Sequence, residues 1–239
     1  MQRYFGNIIH HEVCLEESDQ YHLLRVMRAR VGDRIEVVCE GKVYLADVKS
    51  LKPLCIEVVG SLKENNELKN DIVLIVSLLK GEKLDLVLQK ATELGVEEIV
   101  LLQSERSIAK IRPLERDYKL ERFNRILKEA SEQSKRTRLP LLFRVIKFSQ
   151  LADINADVKL IAYEGAQGDT SSFLSAIKTV KSGERVAILI GPEGGFAAHE
   201  VDEANELGYH TVSLGRRILR AETASIYAMS VLAAYLERK

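Results

Sequence analysis

From Asp71 onward the chain alternates short apolar runs with stretches of helical period, and this restricts it to a largely parallel sheet covered by helices. Strands are expected at Ile72 to Leu79, Ile99 to Leu102, Leu141 to Ile146, Lys159 to Tyr163, Val186 to Ile190 and Thr211 to Leu214. Between them lie helices at Glu82 to Leu94, stopped by Gly95, and at Asp117 to about Lys135. Further helices span Ser171 to Val180, His199 to Leu207 and Glu222 to Leu236. Leu84, Val87, Leu88, Ala91 and Leu94 form the apolar face of the first helix, and Phe123, Ile126, Leu127 and Ala130 that of the second.

Two strand ends in the last fifty residues carry glycine. Ile190-Gly191-Pro192-Glu193-Gly194-Gly195-Phe196 closes one strand with a forced turn, where main-chain N–H and C=O groups can approach a ligand unobstructed. Leu214-Gly215 opens a loop with Arg216, Arg217 and Arg220 and no acid before Glu222. Glycine loops at the C-terminal ends of strands are where an open α/β sheet binds its ligand. The first loop alone is compatible with a plain strand-to-helix turn or with a backbone pocket for a neutral or cationic molecule. A phosphate cradle fits less well, because no Lys or Ser/Thr follows the glycines and Glu193 repels an anion.

Residues 1–70 have another texture. Arg34 to Cys39 and Lys42 to Val48 flank Glu40-Gly41, a hairpin turn, and Leu54 to Val59 follows, which together predict a small β-barrel. A short helix is expected from Asp19, as its cap, to Arg30, and a polar linker from Lys63 to Asn70. The boundary predicts two domains, 1–70 and 71–239.

Composition removes several classes. The 239 residues hold 35 basic and 35 acidic side chains, so any nucleic-acid surface must be local. Cys14, Cys39 and Cys55 show no CxxC spacing and read as reduced packing residues of a cytoplasmic protein. No basic-then-apolar leader and no apolar run near 18 residues is present, so neither secretion nor a membrane partner is expected. GxGxxG, GxxxxGK[ST], GxSxG and HExxH are all absent, which argues against dinucleotide binding, triphosphate turnover, a serine triad and a metal site.

The strand-GPEGG-F and LG-x-RILR-x-ETA blocks resemble the SPOUT class of S-adenosylmethionine-dependent RNA methyltransferases, and within it the RsmE family, which methylates N3 of a uridine in small-subunit (16S) ribosomal RNA. Lys80-Gly81-Glu82-Lys83 running into Gln89-Lys90-Ala91-Thr92-Glu93-Leu94-Gly95-Val96 is similar to that family's first block. Ser104-Glu105-Arg106-Ser107 is similar to the second, and Glu129-Ala130-Ser131-Glu132-Gln133-Ser134 with Arg136 and Pro140 to the third. Tyr21-His22-Leu23-Leu24-Arg25-Val26-Met27-Arg28 with Val31-Gly32-Asp33 resembles the start of its RNA-binding, PUA-like barrel. The likeness covers nearly the whole chain. It departs at Ala197-Ala198, where the family often has a Ser or Thr as helix cap, a loss of about 1 kcal/mol.

The resemblance implies a C-terminal trefoil knot, which periodicity alone does not predict, with S-adenosylmethionine as the cofactor bent inside it. Ile190, Gly191, Gly194, Gly195, Leu214, Gly215, Ile218, Leu219 and Thr223 are the implied cofactor-binding residues. Uridine N3 carries a proton at neutral pH, so the reaction needs that proton removed and the resulting charge on O2 and O4 stabilised. Arg220 is assigned the second task, and either Glu222 or Glu193 the first if partly desolvated. An ordinary first-turn acid at a helix N-terminus explains Glu222 equally well.

Between Gln103 and Pro140 stand eleven Lys/Arg against six acids. Together with the barrel this marks Arg25, Arg28, Arg106, Lys135, Arg136 and Arg138 as RNA-binding candidates, with Ser104 and Ser107 as further substrate contacts. Glu129, Gln133 and Arg136 are expected on one helical stripe facing the second subunit of a homodimer, the usual SPOUT assembly. The substrate is then naked ribosomal RNA or the assembled small subunit. A noncatalytic RNA-binding assembly factor, or SPOUT chemistry on a different base, is the competing reading.

Overall fold

The computed structural model describes residues 1–165 and 172–238, which divide into two compact units. The first comprises Met1–Glu67 with Lys128–Leu139, and the second Leu68–Leu127 with Pro140–Lys239.

The first unit is a six-stranded sheet of β1 (Arg3–Phe5), β2 (Asn7–Ile9), β3 (Glu12–Cys14), β4 (Arg34–Cys39), β5 (Lys42–Leu51) and β6 (Leu54–Leu62), in the order β1-β4-β5-β6-β3-β2. Its two edge strands, β1 and β2, are separated in sequence by Gly6 alone, so the sheet must curl until its edges meet. A Cβ on Gly6 would lie 3.0 Å from the Cys14 carbonyl, which is why the junction takes glycine. Tyr4, Leu23, Ile35, Val37, Ala46, Val48 and Ile56 fill the interior. The hairpin falls where expected: Cys39 pairs with Lys42, and Glu40 and Gly41 both take positive φ, as a two-residue turn requires.

Strands β1 to β3 were not legible in the sequence, because three residues are too few to display a period. The helix expected from Asp19 to Arg30 is shorter and begins earlier: α1 (Glu17–Tyr21) passes into a single π turn, His22–Val26. Asp19 is therefore not a cap. It is buried inside α1, and both its carboxylate oxygens lie 2.5 Å from Lys128 Nζ.

The second unit holds a fully parallel sheet of β7 (Ile72–Ser77), β8 (Glu98–Gln103), β9 (Leu141–Lys147), β10 (Val158–Ala162), β11 (Val186–Ile190) and β12 (His210–Val212), in the order β12-β10-β11-β7-β8-β9. Both faces are covered. Ile72, Leu74 and Val76 pack into one core with α2 (Lys83–Glu93), α3 (Arg116–Gln133), α4 (Phe173–Lys178) and α6 (Ala221–Leu236). Val73 and Ile75 point to the other, with α5 (Ala198–Glu206) and the 3-10 segment Phe148–Asp153. Helix α2 ends in a Schellman turn: Val96 N–H reaches the Ala91 carbonyl, Gly95 N–H the Thr92 carbonyl, and Gly95 adopts φ +84°. Ser172 caps α4, and Ser171, where that helix was expected to start, lies outside the described residues.

Helix α5 begins at Ala197-Ala198 with no side-chain cap. Compensation comes from the buried Glu200, whose carboxylate accepts the Ala197 N–H and the Glu105 N–H, each at 2.9 Å.

Candidate active site

The C-terminal ends of three neighbouring strands, β12, β10 and β11, open onto a cavity of about 400 Å³. Each contributes the loop that leaves it: Ala162 to Gly165 after β10, Ile190 to Phe196 after β11, and Ser213 to Leu219 after β12. A parallel sheet leaves carbonyls and loop N–H groups unpaired at this edge, and glycine keeps side chains out of their way. Gly195 adopts φ +66°, and a Cβ there would meet a Glu164 carboxylate oxygen at 3.0 Å. A Cβ on Gly191 would lie 3.2 Å from the Phe196 ring, which packs beneath that turn.

Of the sequence-predicted residues, Ile190, Gly191, Gly195, Leu214, Gly215, Ile218, Leu219 and Glu193 line the cavity. Gly194 and Thr223 do not. The Gly194 carbonyl instead turns toward Arg106, whose Nη1 donates to it at 3.2 Å. Thr223 is exposed on the first turn of α6, beyond the lining residues Ala221 and Ala224. The sequence reading missed Tyr163, Glu164 and Gly165, although the same signal was present there, a strand ending in a glycine.

Of the proposed chemical groups only Glu193 lines the cavity; Arg220 and Glu222 stand on either side of the lining residue Ala221 at the start of α6. Arg220 is the N-cap residue of α6, exposed, and its guanidinium makes no hydrogen bond or ion pair among the described residues. Glu193 Oε1 accepts from Lys80 N–H and from Lys83 Nζ, both at 3.3 Å. Partial burial pushes the Glu193 carboxyl up, but its own backbone N–H, that of Lys80 and the Lys83 ammonium outweigh burial and hold it below the ordinary carboxylate range. A carboxylate held in that way is a weak base at neutral pH. Glu222 differs: its Oε2 is buried without a hydrogen-bond partner among the described residues, and Lys83 Nζ stands 3.8 Å away.

The basic candidates separate by exposure. Arg25, Arg28, Arg106 and Arg138 are exposed. Arg136 is not: it is 3% exposed, and its Nε and Nη2 donate to Glu67 Oε2 at 3.1 and 2.7 Å. Helix α3 stops at Gln133, so Arg136 also leaves the stripe it was expected to share with Glu129 and Gln133. Burial pushes the Glu67 carboxyl up, yet Arg136 and the Thr137 and Arg138 N–H groups hold it below the ordinary range. Lys135 is likewise engaged, 2.8 Å from Glu36. Ser104 and Ser107 are buried, 2.7 Å apart, with Ser104 also donating to Ser77, an arrangement that fastens a loop and presents nothing to solvent. No metal-binding cluster of His, Cys, Asp and Glu occurs among the described residues, and none of their helices is long and apolar enough to cross a membrane.

An open parallel sheet with a backbone-lined cavity at its carboxyl edge is shared by many enzyme classes, and sequence likeness narrows the choice to one. Residues 66–233 match the RNA methyltransferase domain, and residues 15–59 match the RNA methyltransferase PUA domain, so the larger unit is of the RNA methyltransferase class. The chain belongs to the family of ribosomal RNA small subunit methyltransferase E. The Bacillus subtilis member is 35% identical over 247 residues, spanning 97% of this chain and 96% of its own. A Synechocystis member is 33% identical over 96% of this chain and 75% of its own. Among solved structures, a ribosomal RNA small subunit methyltransferase E from Neisseria gonorrhoeae bound to S-adenosyl methionine superposes with a TM-score of 0.86 at 28% identity over 98% of both chains. A putative methyltransferase from Legionella pneumophila with bound SAM gives 0.87 at 28% identity, again over 98% of both.

Proposed function

We propose that this chain is a cytoplasmic methyltransferase that transfers the methyl group of S-adenosylmethionine to N3 of a uridine in small-subunit (16S) ribosomal RNA. The observation that carries the reading is the glycine-lined cavity at three adjacent strand ends, in a chain whose relatives act on small-subunit ribosomal RNA.

The cavity suits the cofactor. Its volume lies within the roughly 300–1,000 Å³ of small-molecule sites, and its walls alternate main chain with Ile190, Leu214 and Leu219. Glu164 and Glu193 in the lining favour a cationic ligand and oppose a phosphate. S-adenosylmethionine, when bound, supplies an electrophilic methyl group on a sulfonium. Gly191, Gly195 and Gly215 hold it through backbone groups, and Ile190, Leu214, Ile218 and Leu219 flank its apolar parts. A carboxylate at the cavity's edge, Glu222 or Glu193, takes the N3 proton, and Arg220 stabilises the negative charge left on the uracil oxygens.

Residues 1–70 serve as the RNA-binding barrel and 71–239 as the methyltransferase domain, with the C-terminal chain in a trefoil knot and the active assembly a homodimer. Arg25, Arg28, Arg106 and Arg138 contact RNA phosphates. The test is incubation of the purified protein with labelled S-adenosylmethionine and unmethylated small subunits, with naked RNA in parallel, followed by nucleoside mass spectrometry. Formation of 3-methyluridine is expected. A different methylated nucleoside overturns the target, and cofactor binding with no methylation of intact RNA overturns the enzymatic reading in favour of a binding factor.

A further inference from the structure

The cavity is lined by two acids, and they are differently engaged. Glu193 Oε1 accepts from Lys80 N–H and from Lys83 Nζ, both at 3.3 Å, so its charge is answered within the protein. Glu164, on the loop after β10, is exposed and makes no hydrogen bond or ion pair among the described residues. It is nevertheless placed tightly against the cavity's main chain. A Cβ on Gly195 would meet its Oε1 at 3.0 Å and its carboxyl carbon at 3.5 Å, so glycine at that point is what leaves room for the carboxylate. Strand β10 lies between β12 and β11 in the sheet, and the Glu164 loop therefore leaves between the loop of Arg216 and Arg217 and the turn at Gly191. Those two arginines are exposed in the cavity lining and also lack an ion pair among the described residues. The site thus offers a free anion from its middle loop and two free cations on one flank. A free carboxylate favours a positive group placed near it and contributes little toward a neutral one.

S-adenosylmethionine and its spent form, S-adenosylhomocysteine, share the adenosine, the ammonium and the carboxylate. They differ in the methyl group and in the sulfonium charge that goes with it, so an enzyme that releases its product has that one charge to read. We propose that Glu164 is a specificity residue that meets the sulfonium charge, so that the cavity holds the methyl-bearing cofactor in preference to the product with neutral sulfur. The inference rests on the methyltransferase reading above and deepens it by assigning the charge discrimination to one side chain. Arg216 and Arg217 match the cofactor's carboxylate, and its ammonium, carried on the same carbon, goes with that end to the same flank. The middle loop is then left to face the middle of the ligand, where the sulfur lies between the adenosine and the amino-acid arm. Glu193 is excluded from the role because Lys83 and the Lys80 N–H already hold its carboxylate.

The test is calorimetric titration of the full-length parent, Glu164→Gln and Glu193→Gln with three nucleosides: S-adenosylmethionine, S-adenosylhomocysteine and methylthioadenosine, which has neutral sulfur and neither ammonium nor carboxylate. Glu164→Gln removes the charge and keeps the shape, and since the side chain is exposed and unpartnered its melting temperature should match the parent's. It is expected to lose about tenfold in affinity for S-adenosylmethionine while staying within about twofold of the parent for the other two, and the loss should shrink in high salt. Glu193→Gln should leave the preference between cofactor and product unchanged. A Glu164→Gln loss of equal size for S-adenosylmethionine and S-adenosylhomocysteine, with none for methylthioadenosine, moves the carboxylate to the ammonium and overturns the assignment. An equal loss for all three, which points to the ribose or to packing, overturns it as well, and so do unchanged affinities. If the parent binds none of the three, the cofactor reading itself falls, and the assignment with it.

Discussion

Two arginines close together in the reading of the sequence have opposite fates. Arg220 is exposed beside the cavity and unpaired among the described residues, whereas Arg136 is buried against Glu67. Arg220→Ala is therefore expected to leave the melting temperature unchanged and cofactor affinity near the parent's, while turnover falls about 100- to 1,000-fold, the usual loss when a donor to developing negative charge is removed. Arg136→Ala leaves Glu67 charged and buried, which costs about 3–5 kcal/mol, and thermal unfolding should show it before any RNA measurement does. Cofactor affinity responds instead at Gly195. Alanine there must hold a left-handed backbone at about 1 kcal/mol, with its Cβ 3.0 Å from a Glu164 oxygen. Gly195→Ala should weaken S-adenosylmethionine binding about fivefold or more by calorimetry.

At the scale of elements, the barrel is held to the end of α3 by buried charge. Asp19 takes Lys128 with both carboxylate oxygens at 2.5 Å, while Glu132 meets the same ammonium at 3.4 Å and accepts the Phe5 N–H at 3.3 Å. Asp19 is thus the member that neutralises Lys128. Burial pushes the Glu132 carboxyl up to about 7, with Lys128 pulling it back and Asp19 adding to the rise. A carboxyl raised in the folded state holds its proton more tightly there than in the unfolded chain. Its contribution is therefore complete below about pH 4.5 and is lost as pH rises to about 7. Glu132→Gln should remove that decline, matching the parent near pH 4.5 and exceeding it at pH 8 by on the order of 2 kcal/mol in denaturant unfolding. Such a network was not legible in the sequence, where Glu132 looked like one more acid on a helix. What could be read was whatever local chemistry decides: the parallel strands from their apolar runs, the Glu40-Gly41 hairpin, the Gly95 stop and the two glycine loops. The three-residue edge strands, the π turn after Tyr21 and the burial of Arg136 depend on distant partners, and so does the inclusion of Glu164 in the cavity. The difference between Glu193 and Glu222 likewise depends on a distant partner, the Lys80 N–H, 113 positions away from Glu193.

For the whole molecule, equal numbers of acids and bases mean that long-range attraction to RNA is weak, and affinity must come from local exposed cations. Arg25 and Arg28 are such cations, exposed and without ion pairs among the described residues, and they share their stretch of the barrel with exposed Tyr21, Val26 and Met27. Arg28 is also held at positive φ, so the turn that presents it is shaped by the backbone and not by a partner side chain. Each phosphate neutralised releases condensed counterions, contributing roughly 0.7–0.9 to the slope of log affinity against log salt. An Arg25→Ala/Arg28→Ala double variant should therefore bind small-subunit RNA more weakly with its slope reduced by about 1.5, and bind S-adenosylmethionine as the parent does. An unchanged slope would remove both residues from the RNA surface and leave Arg106 and Arg138 to supply it. The contrast with Arg136→Ala then separates a cation that meets phosphate from one that the fold has already spent on Glu67.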